Sequence, residues 1–273
     1  MEWPWFAKLK SISLQLISKV LFLCHWSFMK TTELFSILDT VDSTNNYAMA
    51  KLHAGLAKHG MAWFALEQTA GKGQRGREWL SQPGENIALS VVVAPAGLFA
   101  SQPFVFNMTI ANACFNFLTT YFTEELTIKW PNDLYVSDRK AGGILIENIY
   151  QGSAWKWAVV GVGINVNQLF FDQNLKNPVS IRQVTGQHYD TTALARNLHQ
   201  MILDELTHAE SGTGDEILQC YNERLYKRNK PVRLKKQNIV FETTIREVNK
   251  FGQLLTKDSI DRQFEFGEVE WIL

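Results

Sequence analysis

Apolar positions along the chain change period several times, and each change marks an element. DSTNNYAMAKLHAGLAKHG, residues 42–60, opens with Asp42, Ser43 and Thr44, all side chains that cap helices. Tyr47, Leu52 and Leu56 then line one side of a predicted helix that Gly60 ends. This puts Ser43, Thr44 and Asn45 at a helix start. MAWFALEQ and NIALSVVV are short, apolar and rich in β-branched or aromatic residues, so they predict two strands joined by a glycine-rich loop. From Ser101 to about Phe122, Phe104, Met108, Ala111, Phe115, Leu118 and Phe122 step by three and four, while Phe106, Ile110, Ala113 and Phe117 coat other sides. That helix is expected to be buried nearly all round. LTIKW, DLYV, GGILIENIY and WKWAVVGVGINVN predict more strands, separated by turns at Pro131-Asn132 and Asp138-Arg139. TTALARNLHQMILDELTHA and DEILQCYNERLYKR read as helices. Beyond Pro231, VFETTI, a turn at NKFG, then QLLT and FEFGEVEWI predict a small all-β module of roughly 45 residues. The class is therefore α+β, with a sheet in the middle of the chain and a second domain after it.

Composition narrows this picture. With 273 residues, 46% apolar and 20% charged, the chain can bury one sizeable core and a small second domain. Positive and negative residues balance at 27 each, so no overall field draws it to nucleic acid or anionic lipid, and any basic site must be local. Cys24, Cys114 and Cys220 lie far apart without metal-ligand or disulfide spacing, which points to a reducing, cytoplasmic setting. In residues 1–28, Lys8 and Lys10 precede an apolar stretch, but Gln15, Lys19 and His25 interrupt it and no small-residue cleavage site follows. Neither secretion nor membrane insertion is expected, and Met29 offers an alternative start.

Three stretches carry candidate chemistry. GKGQRGREW contains G-x-G-x-x-G at Gly71, Gly73 and Gly76. A dinucleotide fingerprint needs a helix straight after the glycines, whereas Pro83 and Gly84 come too soon here and a strand begins near Asn86. No G-K-[ST] completes a Walker A loop either. What remains is a strand-to-strand loop in which Lys72, Arg75 and Arg77 alternate with glycines, suited to phosphate or carboxylate oxygens; the competing reading is a solvated basic turn. In KWPNDLYVSDRKAGGILIE, Asn132 and Asp133 end a strand where they can fix a ligand or a metal-bound phosphate, or serve only the turn. Lys140 precedes Gly142 and Gly143, which open room beside it. In VVGVGINVN, alternation puts Val160, Val162, Ile164 and Val166 on one face and Gly161, Gly163 and Asn165 on the other. The second face is expected to be a bare floor for a flat ligand rather than a seat for a neighbouring aromatic.

STNNYA (43–48), EQTAGKGQRGREW (67–79), KWPNDLY (129–135), DRKAGGILIE (138–147) and VGVGINVN (160–167) together resemble the biotin protein ligases, in the order of that family. The closing NKFGQLLT and GEVEW resemble its small C-terminal SH3-like domain. The resemblance implies a mixed central sheet flanked by helices, like that of class II aminoacyl-tRNA synthetases, with a small SH3-like β-barrel. The implied domains are a catalytic one at 29–229 and the small one at 230–273, after an extension at 1–28. It also implies the reaction: biotin and ATP with Mg2+ give biotinyl-5′-AMP and pyrophosphate. A lysine of a biotin carboxyl carrier domain, part of a biotin-dependent carboxylase, then takes the biotin. Ser43, Thr44, Asn45 and Gln68 would line the biotin end together with Lys72, Gly73, Gln74, Gly142 and Gly143. Gly71, Lys72, Arg75, Gly76, Arg77, Trp79, Asn132 and Asn165 would surround the nucleotide. Lys140 would contact both the biotin carboxyl and the α-phosphate, with Arg75 beside them and Asp133 near the metal.

Two departures from the family matter. Gln74 stands where some bacterial members have an arginine that helps retain the adenylate. Only 41 residues precede Asp42, without paired capped helices, so the chain resembles monofunctional members and no DNA binding is expected. Other readings are a lipoate or octanoyl ligase, a biotin binder without transfer activity, and a nicotinamide oxidoreductase. The assembly is either a monomer or a homodimer paired through an edge strand at Trp155 to Asn165.

Overall fold

The structure is a computed structural model and describes residues 34–272; the expectations for residues 1–28 lie outside the described residues. The chain divides into two units, Met1–Ser36 and Ile37–Leu273, and the second holds both sheets apart from Phe35 and Ser36 at the start of the first strand.

The larger sheet has seven strands: β1 (Phe35–Val41), β2 (Ala62–Gln68), β3 (Asn86–Val93), β4 (Leu126–Lys129), β5 (Asp133–Val136), β6 (Arg139–Gln151) and β7 (Ala154–Asn165). Their order is β1-β2-β3-β7-β6-β5-β4. The pairs β2–β3, β3–β7, β7–β6, β6–β5 and β5–β4 are antiparallel. The carbonyls of Val41 and Asp42 accept in step from the N–H groups of Thr69 and Ala70. β1 and β2 therefore run the same way, as a strand-helix-strand crossover requires, and the sheet is mixed. All eight residues of β3 are buried, which explains why NIALSVVV is almost continuously apolar instead of alternating.

β7 lies between β3 and β6, with Ala158 to Ile164 paired on both sides and Ala154 to Trp157 paired with β6 alone. From Ala158 onward it is an inner strand, so the free edge expected over Trp155 to Asn165 does not run that length. The true edge at β4 is partly covered by the chain itself. Ile128 bridges Leu225, its N–H donates to the Arg224 carbonyl, and its own carbonyl accepts from Tyr226.

The helices are α1 (Thr44–His53), α2 (Gly97–Ser101), α3 (Pro103–Leu118), α4 (Ile181–Thr185), α5 (Thr191–Ser211) and α6 (Gly214–Glu223). Three end earlier than their apolar spacing predicts. α1 stops at His53, before Gly55 at φ +69°, and leaves Leu56 exposed. α3 ends at Leu118 in a turn that carries Phe122. α6 ends at Glu223 because the residues after it join the β4 edge, with Lys227 and Asn229 in left-handed conformations. α5 begins on Asp190, whose carboxylate accepts from the N–H groups of Thr192 and Ala193, and α6 on a Thr213–Glu216 capping box. α1 packs Ala48 against Trp63, Val92 and Val159, covering one end of a sheet face that continues uncovered toward β6 and β5.

The smaller sheet is β8 (Pro231–Lys236), β9 (Ile239–Val248), β10 (Leu254–Lys257), β11 (Asp261–Phe264) and β12 (Glu270–Ile272), ordered β11-β10-β9-β8-β12 and antiparallel throughout. PVRLKK escaped the sequence reading because it buries only Leu234. Three bonds tie this sheet to the larger one's surroundings: Trp130 Nε1 donates to the Gly252 carbonyl (2.9 Å), Asn222 Nδ2 to the Val248 carbonyl (2.9 Å), and the Val248 N–H to Asn222 Oδ1 (2.7 Å). Among the described residues no helix is long and apolar enough to cross a membrane.

Gly252 sits at φ +87° with the Phe104 ring where a side chain would start. Gly252→Ala is therefore expected to lower the unfolding free energy by about 1–3 kcal/mol in a denaturant titration. Gly55→Ala, also at positive φ but facing open space, should cost only about 1 kcal/mol. Equal losses would show that the Phe104 contact contributes nothing.

Candidate active site

The uncovered sheet face is built on one line of register. Ala88, Gly163, Gly143, Asp133 and Lys129 stand opposite one another across β3, β7, β6, β5 and β4. A second line, Trp63, Ser90, Gly161 and Leu145, runs beside it. Four strand intervals of about 4.8 Å make the first line roughly 19 Å long. Above it lies a cavity of about 840 Å³ that reaches from the start of α1 to the small sheet.

Gly143, Gly161 and Gly163 line the cavity, as the expected ligand floor requires, but that floor is not bare. Each glycine makes room for a polar or aromatic side chain of the protein. Asn45 occupies the space over Gly161. The Trp79 indole lies on Gly163, where a Cβ would come 2.5 Å from its Cε2. Lys140 and Asp133 meet over Gly143, each 3.3 Å from where its Cβ would be.

At the α1 end, Ser43 is the N-cap residue, although its hydroxyl makes no capping bond. Asp42 accepts from Asn46, a bond that holds its carboxyl below the usual carboxylate range. The N–H and hydroxyl of Thr44 both approach Gln68 Oε1, at 2.8 and 3.1 Å. Ser90 Oγ lies 2.6 Å from Asn45 Oδ1 and 2.7 Å from Thr44 Oγ1. Asn45 Oδ1 can only accept, so the Ser90 proton goes to it and the single Thr44 proton is divided between Ser90 and Gln68. Asn45 Nδ2 donates to Glu147 (2.8 Å), whose other oxygen is 3.7 Å from Lys72 Nζ. The cluster thus has more acceptors than protons and can receive N–H groups from a ligand.

The glycine loop is a small hairpin. The Trp79 N–H donates to Gly71, Gly73 to Arg77, and a 3-10 turn at Gln74–Gly76 closes it, with Arg75 at φ 57°. It joins two strands, as expected, and arches over the cleft. Lys72, Gly73, Gln74, Gly76 and Arg77 all line the cavity. Gln74 Nε2 reaches the Ile144 carbonyl at 3.5 Å, and Asn132 Nδ2 donates to the same carbonyl. Arg75 turns toward the small sheet, with its guanidinium over the Phe266 ring at 5.8 Å and against Gly267.

Lys140 Nζ is 2.7 Å from Asp133 Oδ1, both about one-third exposed or less, and 6.0 Å from the Trp79 ring centre. Asn165 donates to the carbonyls of Lys140 and Val179 and so fixes the backbone beneath that lysine. Two expected contact residues do not line the cavity. Gly71 allows the Trp79 carbonyl and Gln68 to come close, and Gly142 allows the Gly163 carbonyl to approach. Among the described residues no three His, Cys, Asp or Glu side chains gather to hold a metal.

Sequence reasoning missed Ser90 and Glu147, which hold Asn45 from behind the lining, and Lys129, Phe266, Glu270 and Trp271, which form part of the cavity wall. Ser90 and Lys129 carried a signal, each being the polar intruder in an apolar strand. Lys129 is 7% exposed, donates to Tyr135 Oη at 3.1 Å, and is pushed down to about 8 by burial.

Comparison with known proteins settles the family. The biotin/lipoate A/B protein ligase family model matches residues 37–165. The Escherichia coli bifunctional ligase/repressor BirA is 32% identical over 248 residues, covering 86% of this chain and 73% of that protein. The chain belongs to the biotin protein ligase family. Another biotin protein ligase relative, the biotin–[acetyl-CoA-carboxylase] ligase of Paracoccus denitrificans, is 37% identical over 162 residues, 56% of this chain and 65% of that one. The Aquifex aeolicus biotin protein ligase solved with biotin and ATP superposes with a TM-score of 0.69 over 87% of this chain and 98% of that one, at 24% identity, so the fold is shared.

If Gly163 seats Trp79 and thereby the hairpin, Gly163→Ala should release the loop. An overpacking cost of about 1–3 kcal/mol corresponds to trypsin cleavage after Arg75 or Arg77 roughly 5–150-fold faster than in the parent. Unchanged cleavage would mean the hairpin is held without Trp79.

Proposed function

We propose that this biotin protein ligase joins biotin and ATP along the register line of its main sheet and passes the biotin to a lysine of a biotin carboxyl carrier domain. The observation that carries the proposal is the ordering along that line, with the neutral hydrogen-bonding cluster around Ser90 at β3 and the Lys140–Asp133 pair at β6 and β5. Biotin has the matching polarity, a ureido ring at one end and a carboxylate at the other. The ring N–H groups would meet the acceptor-rich cluster of Thr44, Asn45, Gln68 and Ser90, with Ser43 donating to its carbonyl.

The biotin carboxylate would then reach Lys140, two strand intervals away. There the carboxylate oxygen attacks the α-phosphorus of ATP, the bond to the β-phosphate oxygen breaks, and pyrophosphate leaves with the electron pair. Lys140 offsets the charge that accumulates on the α-phosphoryl oxygens, with Arg77 and Lys72 above it. Asp133 keeps the ammonium in place before ATP arrives. Arg75, packed on Phe266, would hold the hairpin down and keep water from the mixed anhydride. Trp79 would flank the adenine. The acceptor amine next attacks the acyl carbon, AMP departs and the amine loses its proton.

Magnesium ion usually binds through nucleotide phosphates and one or two carboxylates, so a site with Asp133 and no acidic cage fits it. Asp133, with Asn132 alongside, would hold an ion that neutralises phosphate oxygens. We assign 29–229 as the catalytic domain and 230–273 as a small SH3-like domain on the pattern of the second antiparallel sheet. The free thiols of Cys114 and Cys220 suit a cytoplasmic setting.

The test is transfer of biotin from ATP and magnesium to a purified carrier domain. The parent should label the carrier and release pyrophosphate, and Lys140→Ala should lower kcat by about 10²–10³-fold. Turnover with octanoate or lipoate but none with biotin would defeat the reading. Ser90→Ala should weaken biotin by about 5–150-fold while ATP affinity holds, because Asn45 Oδ1 loses its donor.

A further inference from the structure

The far end of the register line holds a cation that the scheme above does not use. Lys129 is buried, and among the described residues it has no carboxylate within ion-pair distance. Its ammonium is held by three aromatic rings: Tyr135 at 4.7 Å, Trp271 at 5.2 Å and Tyr226 at 5.9 Å. Among the described residues one of its donors is taken, by Tyr135 Oη. A buried ammonium without an anion is costly unless something compensates, and ring quadrupoles compensate only in part. Lys129 also lines the cavity. The charges around it are Asp133, itself paired with Lys140, and the cations Lys140, Lys176 and Arg77. Such surroundings are poor for a structural lysine and good for a polyanion.

We infer that Lys129 docks the pyrophosphate that leaves during adenylation, and that Trp271 of the small sheet is the positioning residue that aims it. The inference rests on the ligase reading above and extends it to one half-reaction. Biotin's ring at β3 and its carboxyl at Lys140 on β6 leave β5 and β4 for the β- and γ-phosphates, and Lys129 ends β4. Trp271 stands opposite Leu234 in the small sheet and packs on Tyr226 at 5.7 Å, so the cage closes only when that sheet is seated. Transfer to the acceptor lysine involves no pyrophosphate, so Lys129 acts in the first step alone.

Three measurements on the full chain test this: binding of magnesium pyrophosphate by calorimetry, biotin-dependent exchange of pyrophosphate into ATP, and transfer to the carrier domain from synthetic biotinyl-5′-AMP. Lys129→Gln should weaken pyrophosphate at least about tenfold and raise the KM for ATP in exchange, while transfer from the preformed adenylate stays within about twofold. Trp271→Ala should raise the KM for ATP more than it lowers kcat, and Trp271→Phe should restore most of the loss, as positioning by an aromatic face requires. Should Lys129→Gln fail to fold, Lys129→Met keeps the aliphatic stem and carries the same measurements. Pyrophosphate bound as tightly as by the parent, or transfer slowed as much as exchange, would overturn the inference and make Lys129 a structural lysine. If the parent shows no biotin-dependent exchange, it is the ligase reading that fails, while pyrophosphate binding still decides the role of Lys129.

Discussion

Antiparallel register across β3, β7, β6, β5 and β4 is the constraint on which the site depends. Side chains directly opposite in such a ladder share a face, so Ala88, Gly163, Gly143, Asp133 and Lys129 must form a line whatever else the chain does. A slip of one residue in any strand would turn its member of the line into the opposite core. The buried, wholly apolar far side of β3 makes such a slip expensive, since Leu89, Val91 and Val93 would exchange places with Ala88 and Ser90. The hydrophobic core thus sets the order of the polar groups without containing any of them.

The glycines illustrate how close packing and chemistry meet. Gly161, Gly163 and Gly143 each leave a hollow, and each hollow receives a side chain that has other business in the cleft: Asn45, Trp79 and the Lys140–Asp133 pair. A methyl group at any of them would press on its guest. Because interiors transmit such displacements instead of absorbing them, sheet backbone and functional side chains are positioned together.

Much of this was legible in the sequence because it is local. Capping residues at 42–44, the glycine-cation alternation at 71–77 and the strand-turn-strand run at 129–147 are contiguous, and the structure brings most of their polar side chains to one cavity, though of the charged ones Asp42, Asp138, Arg139 and Glu147 stay outside its lining. The illegible parts are long-range. Nothing near Phe266 or Trp271 marks them as cleft wall, since they arrive there only when the small sheet packs on Trp130 and Asn222. Helix ends were overrun for the same reason: the period of DEILQCYNERLYKR continues past Glu223, but pairing of residues 224–226 with Ile128 wins over helix propensity. The guests on the glycine floor were missed because alternation shows that a face is bare, and only tertiary structure shows which neighbour fills it.

The charge arrangement explains why a neutral protein can serve two anions. Lys72, Arg77, Lys129, Lys140 and Lys176 border one cavity, whereas Asp133, Glu147 and Glu270 each stand next to one of them: Asp133 to Lys140, Glu147 to Lys72, and Glu270 to Lys176 at 3.6 Å. The carboxylates hold the cations in place before ligands arrive, and incoming phosphate and carboxylate oxygens can take over their role without the cations moving far. Preorganised charge of this kind acts at the moment of bond formation with little rearrangement. Arg75, Arg77 and Lys129 have no such carboxylate among the described ion pairs, and of these Lys129 is the buried one, held by aromatic rings and a phenol, which leaves it the cation with most to gain from an anion.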